Sequence, residues 1–256
     1  MSIRIGIMGI AGRMGRLLAE EVAAAGAVLA GGTLRSGTPP DGATVLRDAE
    51  ALLAASDVAI DFTHASTAAA HAGFAAETGT PLVLGTSGLS PEAEVAVART
   101  AERVPVVYAA NFAPGVNLVL ALAERMAAAL PAEAYDAEIV EMHHRQKVDA
   151  PSGTALALGR AVARARGTTL EAAGVESGRD GHCGARGTGS IGFAALRGGQ
   201  VVGEHTLLFA AGAEQIALTH RSFDRRVYAT GAVRAALWAH GRAPGLYDMK
   251  HVLGMA

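Results

Sequence analysis

A chain of 256 residues, half of it hydrophobic and 18% charged, has apolar surface enough for one large α/β domain or two small ones, which excludes disorder over most of its length. A formal net charge of −2 gives no long-range field for nucleic acid or an anionic membrane, so any anionic ligand must be held by local groups. One cysteine, Cys183, excludes an internal disulfide, no Cys/His zinc pattern surrounds it, and neither an apolar run long enough to cross a bilayer nor a signal-like start is present, so a soluble, unexported, cytoplasmic protein is expected.

The first part of the chain alternates short apolar runs rich in β-branched residues with alanine-rich stretches of helical period, the pattern of βαβ units. Strands are predicted at Ile3–Met8, Val28–Thr33, Asp57–Phe62, Pro81–Thr86 and Val104–Ala109, and their near-continuous apolarity reads as buried and parallel. The first helix carries Met14, Leu17, Leu18 and Val22 on one stripe, with Arg16, Glu20 and Glu21 turned away. A later helix is expected to take Thr63 as its N-cap and to stop at Gly79, ahead of Pro81. Five such strands imply a doubly wound sheet whose ligand site lies at the carboxyl ends of its strands.

Gly9-Ile10-Ala11-Gly12-Arg13-Met14-Gly15 falls where the first strand becomes the first helix. Glycines there let backbone amides approach a pyrophosphate at the helix N-terminus, although the spacing G-x-x-G-x-x-G also suits a plain tight turn. An acid about 20 residues on would mark NAD; here Gly31-Gly32-Thr33-Leu34-Arg35-Ser36 offers none before Asp41. With Arg35 and Arg13 at hand the pocket reads as one for a 2′-phosphate, so NADPH is the expected cofactor and NADH a possible second. Two more small-residue loops, Gly85-Thr86-Ser87-Gly88 and Ala110-Asn111-Phe112-Ala113-Pro114-Gly115, should lie at the same sheet edge and make room for the nicotinamide.

After residue 114 the grammar changes to a helix (Val116 to Leu130), a strand (Ala137 to His143), a helix opening at Thr154, and three strands at Ile191 to Leu196, Val201 to Phe209 and Gln215 to Thr219. The short turns Gly198-Gly199 and Ala211-Gly212 predict that these three are antiparallel neighbours. The fold class is thus α/β, a Rossmann-like doubly wound parallel sheet plus a second α+β domain with a mixed, largely antiparallel sheet. The last helix, roughly Asp224 to His240, resumes the style of the first part, which places residues 1–114 and 223–256 in a dinucleotide-binding domain and 115–222 in a substrate-binding and oligomerisation domain. Because the three late strands are apolar on both faces with few helices left to cover them, Ile191, Phe193, Val201, Leu207 and Phe209 are expected to include residues buried between subunits.

The chemistry concentrates in the segment from Glu138 to Thr154, which holds His143, His144, Lys147, Asp149, Ser152, Gly153 and Thr154. Lys147 stands out because Arg is this chain's default cation; the only other lysine is Lys250. Ser152, Gly153 and Thr154 at a helix start offer hydroxyls and unpaired amides to a carboxylate, and a histidine can donate or accept a proton near neutrality. A dicarboxylate that needs a proton fits such a segment. Ser152 or Thr154 could instead be a plain N-cap, and paired histidines could be metal ligands, but strand neighbours face opposite ways and no further ligand lies at a regular spacing. His64, His71, His182, His205, His220, His240 and His251 read as surface or satisfied structural residues.

The segment resembles the signature of the dihydrodipicolinate reductases, the 4-hydroxy-tetrahydrodipicolinate reductases of bacterial lysine biosynthesis. The likeness extends to Gly9–Arg16, Asp61-Phe62-Thr63, Gly85–Gly88, Ala110-Asn111-Phe112, Ile191-Gly192-Phe193, Val202–Thr206 and Gly231–Arg234, and so covers nearly the whole chain. The resemblance implies NAD(P)H-dependent reduction of a cyclic unsaturated 2,6-dicarboxylate by a homotetramer built through the second domain's sheets. It implies His143 as proton donor with Lys147 beside it, and His144, Lys147, Ser152, Gly153, Thr154 and Arg225 as substrate binders. Gly9, Gly12, Arg13, Met14, Gly15, Arg35, Gly85, Thr86, Ser87, Ala110, Asn111 and Phe112 would serve the cofactor. Many relatives carry an acid just before the arginine of the second strand where this chain has Leu34, which strengthens the expectation of NADPH. With cofactor and substrate on different domains, closure about residues near 114 and 222 is expected. Another NADP-dependent small-acid reductase shares every feature of the first domain, and a non-catalytic NADPH-sensing protein would keep the fold. Only the segment from His143 to Thr154 argues against both, since a sensor needs no proton donor.

Overall fold

The computed structural model describes residues 2–256. In chain order the elements are β1 (Arg4–Met8), α1 (Arg13–Ala24), β2 (Val28–Gly32), α2 (Ala49–Ala54), β3 (Val58–Asp61), α3 (Ala65–Thr78), β4 (Leu82–Leu84), α4 (Pro91–Ala101), β5 (Pro105–Tyr108) and α5 (Pro114–Ala129). They continue with β6 (Asp136–His143), α6 (Gly153–Ala165), α7 (Leu170–Ala173), β7 (Val175–Ser177), β8 (Ile191–Arg197), β9 (Gly203–Ala210), β10 (Gln215–Ser222), α8 (Arg226–Ala239), β11 (Gly245–Tyr247) and α9 (Met249–Leu253). The chain divides into two compact units, one made of residues up to Pro114 with Arg226–Ala256, the other of Gly115–Arg225.

The first unit is a six-stranded parallel sheet of order β11-β5-β4-β3-β1-β2. Its predicted strands form where apolar β-branched runs can be buried on both faces. Ile5, Ile7, Ile60 and Val83 pack with Leu18 and Val22 of α1 and Ala232 and Ala236 of α8. Leu82, Leu84 and Val106 pack with Leu52, Ala72 and Val97 of the other helices. Each fully buried Ile, Leu or Val contributes about 1.5 to 3 kcal/mol relative to exposure, so two continuous apolar layers hold the sheet. Beyond β2, Val45 makes one isolated parallel bridge to Gly32. This is a dinucleotide-binding strand order in which the outer strand has shrunk to a single residue, and it leaves β1 and β3 flanking the topological switch point. Close packing of α8 depends on Gly231, where an added Cβ would stand 1.7 Å from the Phe112 carbonyl oxygen.

Two local expectations need correction here. The N-cap of α3 is His64, without a side-chain cap, because the Thr63 hydroxyl is committed to the Asp61 carboxylate at 2.6 Å. Glu21 is not turned to solvent: it accepts from Arg226 at 3.0 Å and from Thr230 at 2.8 Å, tying α1 to α8. Arg16 is exposed, as expected of its place off the apolar stripe, and donates to the Thr38 carbonyl at 2.5 Å, which pins the loop after β2. The short strand β11 beside β5 was not expected from its Gly-Leu-Tyr sequence.

The second unit carries a mixed sheet of order β10-β9-β6-β8-β7. As expected β10 pairs antiparallel with β9, but β8 and β9 are not neighbours, because β6 lies between them, parallel to β8 and antiparallel to β9. Two steps across a sheet are about 9.6 Å, which the residues between Arg197 and Gly203 span easily, so a short glycine turn need not close a hairpin. Ala123 and Ala127 of α5 and Ala155, Leu158 and Val162 of α6 cover the inner face, packing on Ile139, Ile191, Phe193, Leu207 and Phe209. Four of the five residues expected between subunits, Ile191, Phe193, Leu207 and Phe209, are therefore buried in this unit's own core, and Val201 is half-buried before β9. The face left open carries Ala194, Leu196, Ala217 and Thr219, all exposed, beside half-buried Val140, Met142, Thr206 and Leu208.

Candidate active site

On the first unit β1 ends at the switch point, and Gly9, with φ +73°, turns the chain into α1. The N-cap of α1 is Gly12, which has no side chain to cap it, and the first turn holds no acidic residue. The amide dipoles of the helix start are therefore presented to an anion. Gly15 lets the turn lie on the helix, since a Cβ there would stand 2.3 Å from the Gly9 carbonyl oxygen. Arg13 and Arg35 are exposed, and Met14 is half-buried against the core.

At the same edge, the buried Asp61 carboxylate accepts from the Thr63 amide at 2.8 Å, and its other oxygen lies 2.7 Å from His71 Nδ1, which fixes the end of β3. Phe62 fills the space over Gly85, where a Cβ would stand 2.3 Å from its ring, and packs at 5.3 Å on Phe112. Phe112 is a core side chain, so only its backbone remains for a ligand. Asn111 accepts from the Ala113 amide at 2.8 Å, while Ala110 and Ser87 are exposed. The hydroxyl of Thr86 is buried with no hydrogen-bond partner in the structure. A glycine cradle at a helix start and one orphaned hydroxyl at the sheet's carboxyl edge are the features a nicotinamide dinucleotide would use.

On the second unit, β6 ends at His143, whose ring is nearly buried. Its Nδ1 lies 2.5 Å from Glu141 Oε2. Glu141 is buried and also takes Arg197 as a fork, 2.9 Å from each carboxylate oxygen, together with the Ser152 amide at 3.2 Å. One carboxylate thus ties the strand end, the end of β8 and the start of α6 together. Burial pushes Glu141 up, but the hydrogen bonds from Arg197 and His143 outweigh it and hold the carboxyl below its ordinary value. Burial pulls His143 below its ordinary value, with Lys147 and Arg197 adding to the fall and Glu141 opposing it.

Ser152 caps α6 by accepting from the Ala155 amide at 3.2 Å, and its hydroxyl lies 3.0 Å from His205 Nε2. His205 was expected to be a scattered structural residue; instead it stands edge-on to His143 with ring centroids 5.1 Å apart. Burial and the neighbouring His143 push it down to about 4, so it is neutral at pH 7, and its Nδ1 is buried without a partner. His220 is half-buried, with a buried, orphaned Nδ1 and a pKa lowered by burial, beside His205 in register on β10. Lys147 holds both oxygens of Asp149, at 2.8 and 2.9 Å. His144 and Thr154 are half-buried and Gly153 is exposed at the helix start. Arg225 lies exposed on the link after β10, and no contact ties it to this cluster among the described residues.

Two family models match the chain: "Dihydrodipicolinate reductase, N-terminus" over residues 3–112 and "Dihydrodipicolinate reductase, C-terminus" over 115–253. The chain is 66% identical to the 4-hydroxy-tetrahydrodipicolinate reductase of Granulibacter bethesdensis, covering 99% of this chain and 98% of that one. It is 62% identical to the enzyme of the same name from Acidiphilium cryptum, with the same coverage. Among solved structures, a dipicolinate-bound dihydrodipicolinate reductase from Paenisporosarcina sp. TG-14 is similar with a TM-score of 0.81 at 25% identity, over 97% of this chain and 98% of that one.

Proposed function

The chain belongs to the dihydrodipicolinate reductase family, and from that premise we propose how its own residues divide the work. The enzyme is an oxidoreductase that reduces 4-hydroxy-tetrahydrodipicolinate to tetrahydrodipicolinate in lysine and diaminopimelate biosynthesis. A bound reduced nicotinamide supplies the hydride. Gly9, Gly12, Arg13, Met14 and Gly15 hold the pyrophosphate through the start of α1, and Gly85, Thr86, Ser87, Ala110, Asn111 and Phe112 receive the nicotinamide portion, with the orphaned Thr86 hydroxyl as a donor. On the second unit His143 delivers the proton. Lys147 holds a ring carboxylate, with His144, Gly153, Thr154 and Arg225 completing its recognition. Ser152 serves through the helix start it caps, since its hydroxyl already meets Ala155 and His205. The observation that carries this reading is the Glu141 carboxylate, which joins His143 to Ser152, the N-cap of α6, and so sets a proton donor beside a carboxylate-binding helix start.

Cofactor preference falls to Arg35, exposed at the end of β2 with no acid beside it, and NADPH is the preferred reductant. Consumption that requires freshly generated 4-hydroxy-tetrahydrodipicolinate, with a higher kcat/KM for NADPH than for NADH, is the expected result. Hydrogen bonds to charged groups contribute about 1.5 to 3 kcal/mol, so Arg35→Ala should cut the preference roughly tenfold or more. Equal kcat/KM values in the unmodified enzyme, or an unchanged ratio in the variant, would contradict it.

The open sheet face of the second unit, with Leu196 half exposed at 51%, is the surface through which we place a homotetramer. Sedimentation should give about four times the chain mass of 25.9 kDa, and a stable active monomer would contradict the assembly. We place the enzyme in the cytoplasm, where its one cysteine, the exposed Cys183, stays reduced.

A further inference from the structure

The cluster around His143 contains two groups to which the division of labour above gives no part in the proton's transfer, Glu141 and Arg197. Glu141 lies two residues before His143 on β6, so both side chains point to the same face of the strand. Arg197 is the direct register partner of His143 on β8. The result is a chain of contacts from Arg197 through Glu141 to His143 Nδ1, with distances of 2.9 and 2.5 Å. The far side of the ring faces Gly203 of β9, where an added Cβ would stand 3.1 Å from His143 Nε2. The strand that meets the ring therefore presents no side chain at Nε2 from that position.

We propose that Glu141, held ionised by Arg197, is a positioning residue that keeps the proton of neutral His143 on Nδ1 and leaves Nε2 as the atom that carries the transferred proton. The proposal rests on the reading of His143 as proton donor. In the step, the Nε2–H bond of the imidazolium breaks, its electron pair stays on the ring, and the proton goes to the substrate atom made basic by hydride addition. The ring is left neutral with its proton on Nδ1, the tautomer that a carboxylate acceptor at 2.5 Å favours. The groups facing His143 are Glu141 on its own strand, Arg197 on β8, Lys147 on the following loop and His205 on β9. Glu141 alone among them favours the charged ring; Lys147 and Arg197 oppose it, and His205 is neutral. Arg197 has a second anchor, the Asp149 carbonyl at 2.5 Å, which keeps the fork aimed at Glu141.

A general acid works while protonated, so activity is present below the donor's pKa and lost as pH rises through it. Removing the Glu141 charge withdraws the one interaction that raises this pKa and leaves Arg197 unpaired beside the ring. In Glu141→Gln the basic limb of the kcat profile should move to lower pH by about one unit or more, with kcat on that limb about tenfold or more lower and KM for the substrate little changed. A merely structural glutamate would not move the limb.

The test combines this profile with ring nitrogen shifts of ¹⁵N-histidine-labelled protein, the His143 signals being those lost in His143→Gln. The expected result is a neutral His143 protonated on Nδ1 in the unmodified enzyme, passing toward the Nε2–H form in Glu141→Gln. A neutral ring protonated on Nε2 in the unmodified enzyme would overturn the proposal, and this arm decides even if the variant fails to fold. A variant whose ring nitrogens titrate as in the unmodified enzyme would overturn it as well. If the tautomer changes in Glu141→Gln while kcat does not move at any pH, Glu141 positions a ring that is not the proton donor, and it is the reading of His143 that falls.

Discussion

Replacing His143 by Gln should lower kcat by about 10²- to 10⁴-fold, the usual worth of a positioned general acid, while leaving KM for the dicarboxylate close to its original value. The ring is nearly buried and tied to Glu141, so Gln, of similar reach, can keep a hydrogen bond to the carboxylate without supplying a transferable proton. The loss would then be confined to the step in which the proton moves, since only interactions stronger in the transition state change kcat. Steady-state kinetics at saturating substrate check it. A variant with near-normal kcat would remove His143 from the chemistry.

Lys147→Ala should have the second large effect, and of a different kind. Its ammonium already binds a carboxylate in the structure, that of Asp149, which is more than half exposed and so offers little competition to a substrate that buries the same charge. A hydrogen bond to a charged group contributes about 1.5 to 3 kcal/mol, so kcat/KM should fall roughly 10- to 150-fold, mostly through KM. Some loss of kcat is expected as well, because a carboxylate held less well leaves the ring misplaced. Lys147→Arg should also be poorly tolerated, since a planar guanidinium on the short loop between β6 and α6 aims its donors differently from an ammonium. An Arg variant with unchanged KM would show that only charge matters here.

What could be read in the sequence was whatever a local pattern determines. The turn from Gly9 to Gly15 is legible because three glycines at that spacing follow an apolar strand, and each has a use: a positive φ, an uncapped helix start and a close backbone contact. His143, Lys147 and Ser152 are legible because they are rare or helix-starting residues within one short segment. Arg197 and His205 are not, because their meaning comes from sheet register. Arg197 faces His143 across β8 and β6, and His205 faces Glu141 across β9 and β6, pairings that require knowing that β6 runs between two strands joined by a short glycine turn. The inner and outer faces of β9 were equally hidden. Leu207 and Leu208 are adjacent and both apolar, and only the side on which α5 and α6 pack makes one core and the other open surface. The loop after β2 was half legible: the missing acid beside Arg35 can be seen in the sequence, but the anchoring of that loop by Arg16 cannot.

The central claim is that proton delivery and carboxylate binding reside in the second unit, on residues that take no part in holding the nucleotide. NADPH affinity, measured by fluorescence titration in His143→Gln and Lys147→Ala, tests it most directly. Both variants should bind NADPH within about twofold of the unmodified enzyme, a difference of roughly 0.4 kcal/mol, while their turnover is impaired. A tenfold or greater loss of NADPH binding in either variant would contradict the claim.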